Sequence, residues 1–129
     1  MEISGVNPIN HASVCKLVGA KLNEVSIMGS LSSNLHFLFC AFYKPTPIRY
    51  KILIDSKCFP SDYFIVSSQL RYHGYDPKTT IIKVGNEEGI CDTNLIINMI
   101  KKHHKELALV FFSGIHYYSG QLFNLKEIC

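Results

Sequence analysis

"RYKILIDSKCFPSDYFIVSSQLRYHG", residues 49–74, indicates the fold class, because a strand pattern runs directly into a helix pattern. Residues 49–55 are mostly apolar and are predicted to form a strand. Residues 61–73 are predicted to form a helix with Ser61 as its N-cap. Between them, residues 59–62 ("FPSD") place an aromatic ring, a proline, a hydroxyl and a carboxyl in succession. This stretch is either an ordinary helix start or the wall of a binding site.

The same alternation of strands and helices extends along the rest of the chain, which favours an α/β fold. The "LALVFF" segment is wholly apolar, as is typical of a strand that is buried on both faces of a parallel sheet. We therefore expect a partial, mostly parallel sheet with flanking helices. Further strands are expected at Glu24–Met28, residues 79–84 and residues 107–112. Further helices are expected at residues 8–18 before Gly19, from Ser32 or Ser33 to the "KPTP" motif, and from Asp92 or Thr93 to about residue 105.

Composition excludes several classes of function. The chain has 129 residues, with 47% hydrophobic and 18% charged residues, as expected for one globular domain. Its net charge of +3 is small and its lysines are scattered, so we expect no nucleic-acid partner. The longest apolar stretch, residues 35–43, is too short to span a bilayer. Five cysteines without a CxxC pair, and no leader-like segment, favour a reducing compartment, so a cytoplasmic protein without a metal site is expected.

Three segments are expected to meet at one edge of the sheet. Residues 29–33, 58–62 and 113–118 each lie where a strand ends or a helix begins. Ligands of open α/β sheets bind beyond the carboxyl ends of the strands. The topology therefore predicts a ligand site formed by these segments.

Each segment also has a plain structural interpretation. "GSLSSN" could bind an anion at a helix N-terminus, or its serines could simply cap that helix. Phe59 could stack on a flat ligand beside Asp62, or it could be a core aromatic residue next to an acid that compensates the helix dipole. The segment 113–118 offers hydroxyl groups and His116, or it is a polar turn that leads into a hairpin. The residues alone leave these alternatives open.

Taken together, the segments resemble kynureninase, a pyridoxal-phosphate enzyme of fold type I that is related to class V aminotransferases. The resemblance rests on "SLSSNLHFLFCAFYKPTPIRYKILIDSKCFPSDYFIVSSQLRYHG" and "LALVFFSGIHYYSGQLFN", and extends more weakly from about Val18 to the end of the chain. It implies that residues 1–129 form a single partial domain, the N-terminal part of the cofactor-binding large domain.

The family hydrolyses the Cβ–Cγ bond of kynurenine or 3-hydroxykynurenine, giving anthranilate or 3-hydroxyanthranilate and alanine, in tryptophan catabolism that leads to NAD synthesis. The resemblance implies pyridoxal 5'-phosphate as cofactor and a homodimer as the full-length assembly. Phe59 would stack on the pyridine ring, and Tyr118 would give its hydroxyl to the phosphate. The residues implied to bind the cofactor are Leu31, Ser32, Phe59, Pro60, Ser61, Asp62, Ser113 and Tyr118.

The chain departs from the family in its length. A kynureninase is more than three times as long, and its Schiff-base lysine and the aspartate that pairs with the pyridine nitrogen lie in later segments. None of the lysines here has a matching context, so we expect no catalytic residue in this chain and no turnover by it alone. Two alternatives remain, namely a non-catalytic module that pairs with the full-length enzyme, and another fold-type-I enzyme.

Overall fold

The structure is a computed structural model that describes residues 8–129. The chain divides into two compact units, one that ends at Asn34 and one that comprises Leu35–Cys129. The boundary lies within helix α2 (Leu31–Phe42). The two units are therefore described separately.

The first unit contains helix α1 (Pro8–Val18), whose bounds match the prediction, and a 3₁₀ turn at Leu22–Glu24. Gly19 follows α1 with φ of 68°, the left-handed conformation expected after a helix. The strand predicted at Glu24–Met28 is wrong. Val25 is extended, but its carbonyl accepts a hydrogen bond of 2.8 Å from Nε2 of His11 instead of pairing with another strand.

Helix α2 begins two to three residues earlier than the predicted caps would place it. Its N-cap is Ser30 and not Ser32 or Ser33, because the Ser30 side chain accepts a hydrogen bond from the backbone N–H of Ser33 at 3.2 Å. The helix ends at Phe42, before the prolines of "KPTP", as predicted. Among residues 8–129, no helix has the length and apolar character needed to cross a membrane.

The second unit is built on a three-stranded sheet in which both strand pairs are parallel, so the predicted α/β fold is confirmed. The strands are β1 (Lys51–Asp55), β2 (Ile81–Val84) and β3 (Leu107–Phe111), and their spatial order is β2-β1-β3. The predicted strand at residues 79–84 is shorter than expected. Its first two residues belong to a short helix, α4 (Pro77–Thr80), which is capped by Asp76.

Strand β1 is central and is buried on both faces, because helices cover each side of the sheet. Ile52 and Ile54 pack on one side with the apolar residues of α2 and of α3 (Pro60–Tyr72). Leu53 points to the other side, where Ile96 of α5 (Thr93–His103) is fully buried. Alternate residues of one strand thus contribute to two cores.

Strand β3 lies at an edge of the sheet, so the expectation that it is buried on both faces is wrong for most of its length. Leu107 is buried, while the four residues that follow are only half-buried. The described residues place no strand on its outer side. Several apolar side chains of β3 are therefore left partly exposed within the described structure.

Two further helix termini follow from local chemistry. Asp92 caps α5 by accepting a hydrogen bond from the N–H of Leu95 at 3.1 Å, which was one of the two predicted caps. Ser61 does not cap α3. The helix begins with Pro60, and Phe59 occupies the N-cap position without a side-chain bond. A last short helix, α6 (Leu125–Ile128), ends the described fold.

Candidate functional site

The carboxyl end of the sheet brings together two of the predicted segments. The ring of Phe59, directly before α3, meets the ring of Tyr117, after β3, edge to face with centroids 4.9 Å apart. Phe59 remains 48% exposed, whereas phenylalanine is usually buried in folded proteins. The predicted meeting of these two segments is therefore confirmed, and it leaves an accessible aromatic surface.

The start of α3 places polar groups beside that ring. Pro60 occupies the first helical position, where the lack of an N–H has no cost. The hydroxyl of Ser61 donates to Oδ1 of Asp62 at 3.3 Å. Burial raises the pKa of Asp62 above its usual value, the hydrogen bond from Ser61 partly offsets this effect, and the charge of Asp55 adds to it. A half-buried carboxyl group in a helix first turn is thus held next to the exposed ring.

The segment after β3 forms a short hairpin, residues 114–123. Ile115 and Leu122 form an antiparallel bridge, and the N–H of Phe123 donates to the carbonyl of Gly114 at 3.1 Å. Ser113 and Tyr118 are exposed. The ammonium group of Lys57 lies 5.2 Å from the ring centroid of Tyr118, so a positive charge stands next to this hydroxyl-bearing ring.

The hairpin is fixed to the central strand by a buried pair. Nε2 of His116 lies 3.1 Å from Oδ1 of Asp55, and both side chains are buried. The other ring nitrogen, Nδ1, accepts hydrogen bonds from the backbone N–H groups of Tyr118 at 3.3 Å and Ser119 at 3.1 Å. Because a backbone N–H can only donate, Nδ1 carries the lone pair and Nε2 carries the proton. His116 is therefore a neutral donor to the carboxyl group of Asp55.

The hairpin is also tied to the loop between β2 and α5. The side-chain amide of Gln121 donates to the carbonyl of Cys91 at 2.6 Å, and its oxygen accepts from the N–H of Cys91 at 2.8 Å. The hydroxyl of Ser119 donates to the carbonyl of Gly89 at 3.0 Å. A fourth segment, residues 85–91, thus shares this edge of the sheet, and the sequence did not indicate it.

The two remaining predicted site residues lie in the first unit. Leu31 and Ser32 are the first two residues of α2, and Leu31 is exposed. Their backbone N–H groups and the hydroxyl of Ser32 have the character expected of a helix start. Their assignment to the same site as Phe59 stays a prediction.

Two side chains at this edge were missed by sequence reasoning, for different reasons. Asp55 follows three buried apolar residues in β1, and an acidic residue at that position was a usable signal for a paired polar group. Gln121 gave no signal, because its two bonds to Cys91 depend on how the hairpin packs.

Two thiols near the site are poor nucleophiles. Burial, followed by the charge of Asp55, raises the pKa of both Cys58 and Cys91 to about 11. Both therefore stay protonated near neutral pH. Within residues 8–129, no group of three His, Cys, Asp or Glu side chains is placed to hold a metal ion.

Comparison with known proteins identifies relatives that align with about nine tenths of this chain. "Kynureninase 2" of Aspergillus oryzae is 45% identical over 119 residues, which are 91% of this chain and 25% of that protein. "Kynureninase" of Sclerotinia sclerotiorum is 46% identical over 92% of this chain and 26% of its own length. "Kynureninase" of Dictyostelium discoideum is 44% identical over 91% of this chain and 26% of its own length. No family model matches the chain.

The three-stranded parallel sheet and its flanking helices are consistent with part of a fold-type-I domain of the kynureninase kind. The chain is homologous to the kynureninases over about nine tenths of its length. It spans about a quarter of the length of the curated relatives it matches. The resemblance inferred from the sequence is therefore confirmed.

Proposed function

We propose that this chain carries the ring-stacking and phosphate-binding side of a kynureninase site, which takes pyridoxal 5'-phosphate as cofactor. The observation that carries this proposal is the meeting of Phe59 and Tyr117, 4.9 Å apart, at the carboxyl edge of the sheet. The proposed reaction is hydrolysis of the Cβ–Cγ bond of kynurenine or 3-hydroxykynurenine to anthranilate or 3-hydroxyanthranilate and alanine. The homology to kynureninases supports the same reaction class.

The residues at the sheet edge fit a flat aromatic cofactor. Phe59 offers a half-exposed ring, and Tyr117 contacts it at an angle of 78°, which restrains its orientation. We assign Phe59 to stacking on the pyridine ring, and the FPSD residues Pro60, Ser61 and Asp62 to the polar and backbone wall beside it. When bound, the cofactor supplies the electron sink for carbon–carbon bond cleavage.

The hairpin side of the edge fits the anionic end of the same molecule. We assign Ser113 and the hydroxyl of Tyr118 to cofactor contacts, with the phosphate near Tyr118. Lys57 beside the ring of Tyr118 supplies a positive charge that suits a phosphate. We also assign Leu31 and Ser32 to phosphate binding, because the first turn of a helix offers free N–H groups.

The chain by itself is proposed to be inactive. No lysine here lies in a context that matches the lysine to which the family binds its cofactor covalently. Without that group the chain's own residues can bind and orient the cofactor but cannot exchange it with substrate. The complete enzyme is proposed to be a cytoplasmic homodimer.

Binding of the cofactor tests the proposal directly. Pyridoxal 5'-phosphate is titrated into the purified chain and binding is followed by equilibrium dialysis. Phe59→Leu should weaken binding by about three- to tenfold, since an aromatic pair contributes about 0.5–1.5 kcal/mol. The matched control is Phe64→Leu, because Phe64 lies in helix α3, which begins directly after Phe59, and is 67% exposed, but its ring contacts Tyr63 rather than Tyr117.

Two results would contradict the proposal. Equal weakening by both substitutions would show that the ring of Phe59 has no specific role. Turnover of 3-hydroxykynurenine by the chain well above that of free cofactor would overturn the statement that the chain is inactive alone.

A second candidate function, a module that pairs with a kynureninase polypeptide, is favoured by the open edge of β3. On one face of this edge lies a wholly apolar groove of about 310 Å³. On the other face a second hollow of about 200 Å³ borders the same strand. Within residues 8–129, the outer edge of β3 has no partner strand, and an edge with hollows on both faces suits an added strand and its helix. The groove is lined by Leu35, Leu38, Phe39, Phe42, Leu109 and Phe111.

This pairing is tested by co-purification with a full-length kynureninase. Phe42→Glu places a charge in the groove and should abolish the complex, because Phe42 is 72% exposed there. Phe64→Glu, at a similarly exposed phenylalanine outside the groove, should leave it intact. Equal behaviour of the two variants, or the absence of any complex with the unmodified chain, would refute this second candidate.

A further inference from the structure

We infer that the buried pair of Asp55 and His116 positions the cofactor-facing hairpin, an inference that rests on the proposed function. The pair joins two parts of the fold that are 61 residues apart in sequence. Asp55 is the last residue of the central strand, which is the most deeply buried part of the sheet. His116 is only 1% exposed and lies where the hairpin begins to turn, directly after the bridge between Ile115 and Leu122.

The geometry makes His116 a bridge with two distinct ends. Through Nε2 it donates to Asp55, and this bond links the hairpin to the sheet. Through Nδ1 it accepts from the N–H groups of Tyr118 and Ser119, and these bonds shape the turn locally. The first end ties the hairpin to the central strand, alongside the bonds of Ser119 and Gln121 to the loop at residues 85–91, while the second end acts within the turn.

The position of the hairpin matters because it carries the aromatic rings of the proposed site. Tyr117 directly follows His116 and restrains the ring of Phe59, and Tyr118 carries the hydroxyl assigned to the phosphate. The rings of His116 and Tyr117 are also in contact, with centroids 5.3 Å apart. Phe59 lies four residues after Asp55, and Tyr117 lies one residue after His116. The bond between Asp55 and His116 therefore joins the two segments that carry the rings of Phe59 and Tyr117. Asp55 and His116 are positioning residues and are not assigned any contact with the cofactor.

Two substitutions separate the two ends of the bridge. In His116→Gln, the side-chain NH₂ can still reach Asp55, but the acceptor for the turn is lost. In His116→Asn, the side-chain oxygen can still accept from the turn, but the shorter side chain does not reach Asp55. If the link to the sheet positions the site, the Asn variant is the more damaged of the two.

The readouts are independent of enzyme activity. The first is the nuclear Overhauser contact between the rings of Phe59 and Tyr117, which should persist in His116→Gln and vanish in His116→Asn. The second is the affinity for pyridoxal 5'-phosphate, which should fall about tenfold more in the Asn variant, as expected for the loss of one hydrogen bond to a carboxyl group. The third is the side-chain nitrogen NMR spectrum, which should show a proton on Nε2 and none on Nδ1 of His116.

Circular dichroism establishes that each variant is folded before it is compared. If either histidine variant does not fold, Asp55→Ser removes the same link to the sheet while it leaves the imidazole of His116 and its contacts in the turn in place. Asp55→Asn preserves an acceptor for Nε2 of His116 and should restore the contact between Phe59 and Tyr117. Retention of the Phe59–Tyr117 contact in a folded His116→Asn or Asp55→Ser protein would overturn the inference. A chain that shows the predicted ring contacts but binds no cofactor would leave the positioning role standing and refute the proposed function instead.

Discussion

The sharpest stability prediction concerns Gly89, because two independent costs meet at this residue. Its φ of +72° is in the left-handed region, which costs a residue with a side chain about 1–2 kcal/mol. A Cβ at this position would also lie 2.7 Å from Cε1 of His116. That ring cannot move freely, since both of its nitrogens are hydrogen-bonded in a buried site. Displacing it should cost about a further 1–3 kcal/mol.

Gly89→Ala is therefore expected to lower the free energy of unfolding by about 2–5 kcal/mol in total. Gly120→Ala is the matched control, because Gly120, in the hairpin that carries His116, has a similar φ of +71° but no atom lies within 4 Å of its added Cβ. The control should lose only about 1–2 kcal/mol. Urea unfolding followed by circular dichroism, with linear extrapolation, measures both values.

The difference between the two variants isolates the contact with His116. If their free energies of unfolding agree within about 0.5 kcal/mol, the close approach has no energetic consequence and the reasoning is refuted. A double-mutant cycle gives a second check. Combined with His116→Ala, the substitution Gly89→Ala should lose its extra cost, because the ring that it displaces is absent.

Three further predictions follow from single groups. Because burial and neighbouring carboxyl groups raise the pKa of Cys58 to about 11, iodoacetamide at about pH 8 should modify the exposed Cys40 and Cys129 before Cys58. Stability should also fall as the pH rises from 9.0 towards 11, because in that range only the unfolded Cys58 thiol has lost its proton. Hydrogen bonds from His103 and Lys51 lower the pKa of Glu106 below its ordinary value of 4.5. The stabilising contribution of Glu106 is therefore complete above pH 4.5 and is lost as the pH falls through the lowered pKa, and acid unfolding of the Glu106→Gln variant should lack this loss. Tyr43→Phe should cost about 1–2 kcal/mol in urea unfolding, because the buried hydroxyl donates to the carbonyl of Tyr50 at 2.6 Å, and no loss would contradict this assignment.

Local sequence signals located most of the helices and strands. Pro8 and Gly19 bracket the first helix, and Asp92 caps a later one as expected. The predictions were wrong where two signals competed over a few residues. Ser61 looked like a cap, but Pro60 had already started the helix, and the threonines before β2 joined a short helix that is capped by Asp76.

The strand at residues 24–28 and the burial of β3 were misjudged for a different reason. A strand needs a partner, and the partner of Val25 turned out to be a histidine side chain. The sequence of β3 is suited to burial on both faces, but only one of its edges is paired within the described residues. Pairing and coverage are properties of the neighbours of a strand, so its own residues cannot decide them.

By itself the sequence determined the alternation of strands and helices, the parallel sheet, the kynureninase homology and the aromatic residue at the end of the central strand. These features depend on local periodicity and on motifs that are contiguous in the chain. Only the tertiary structure decided that Phe59 meets Tyr117, that His116 reaches back to Asp55, and that the loop of Gly89 closes over the same edge. Those contacts join residues that are 27 to 61 positions apart, and their geometry arises from packing against the buried strand rather than from any property of the residues alone.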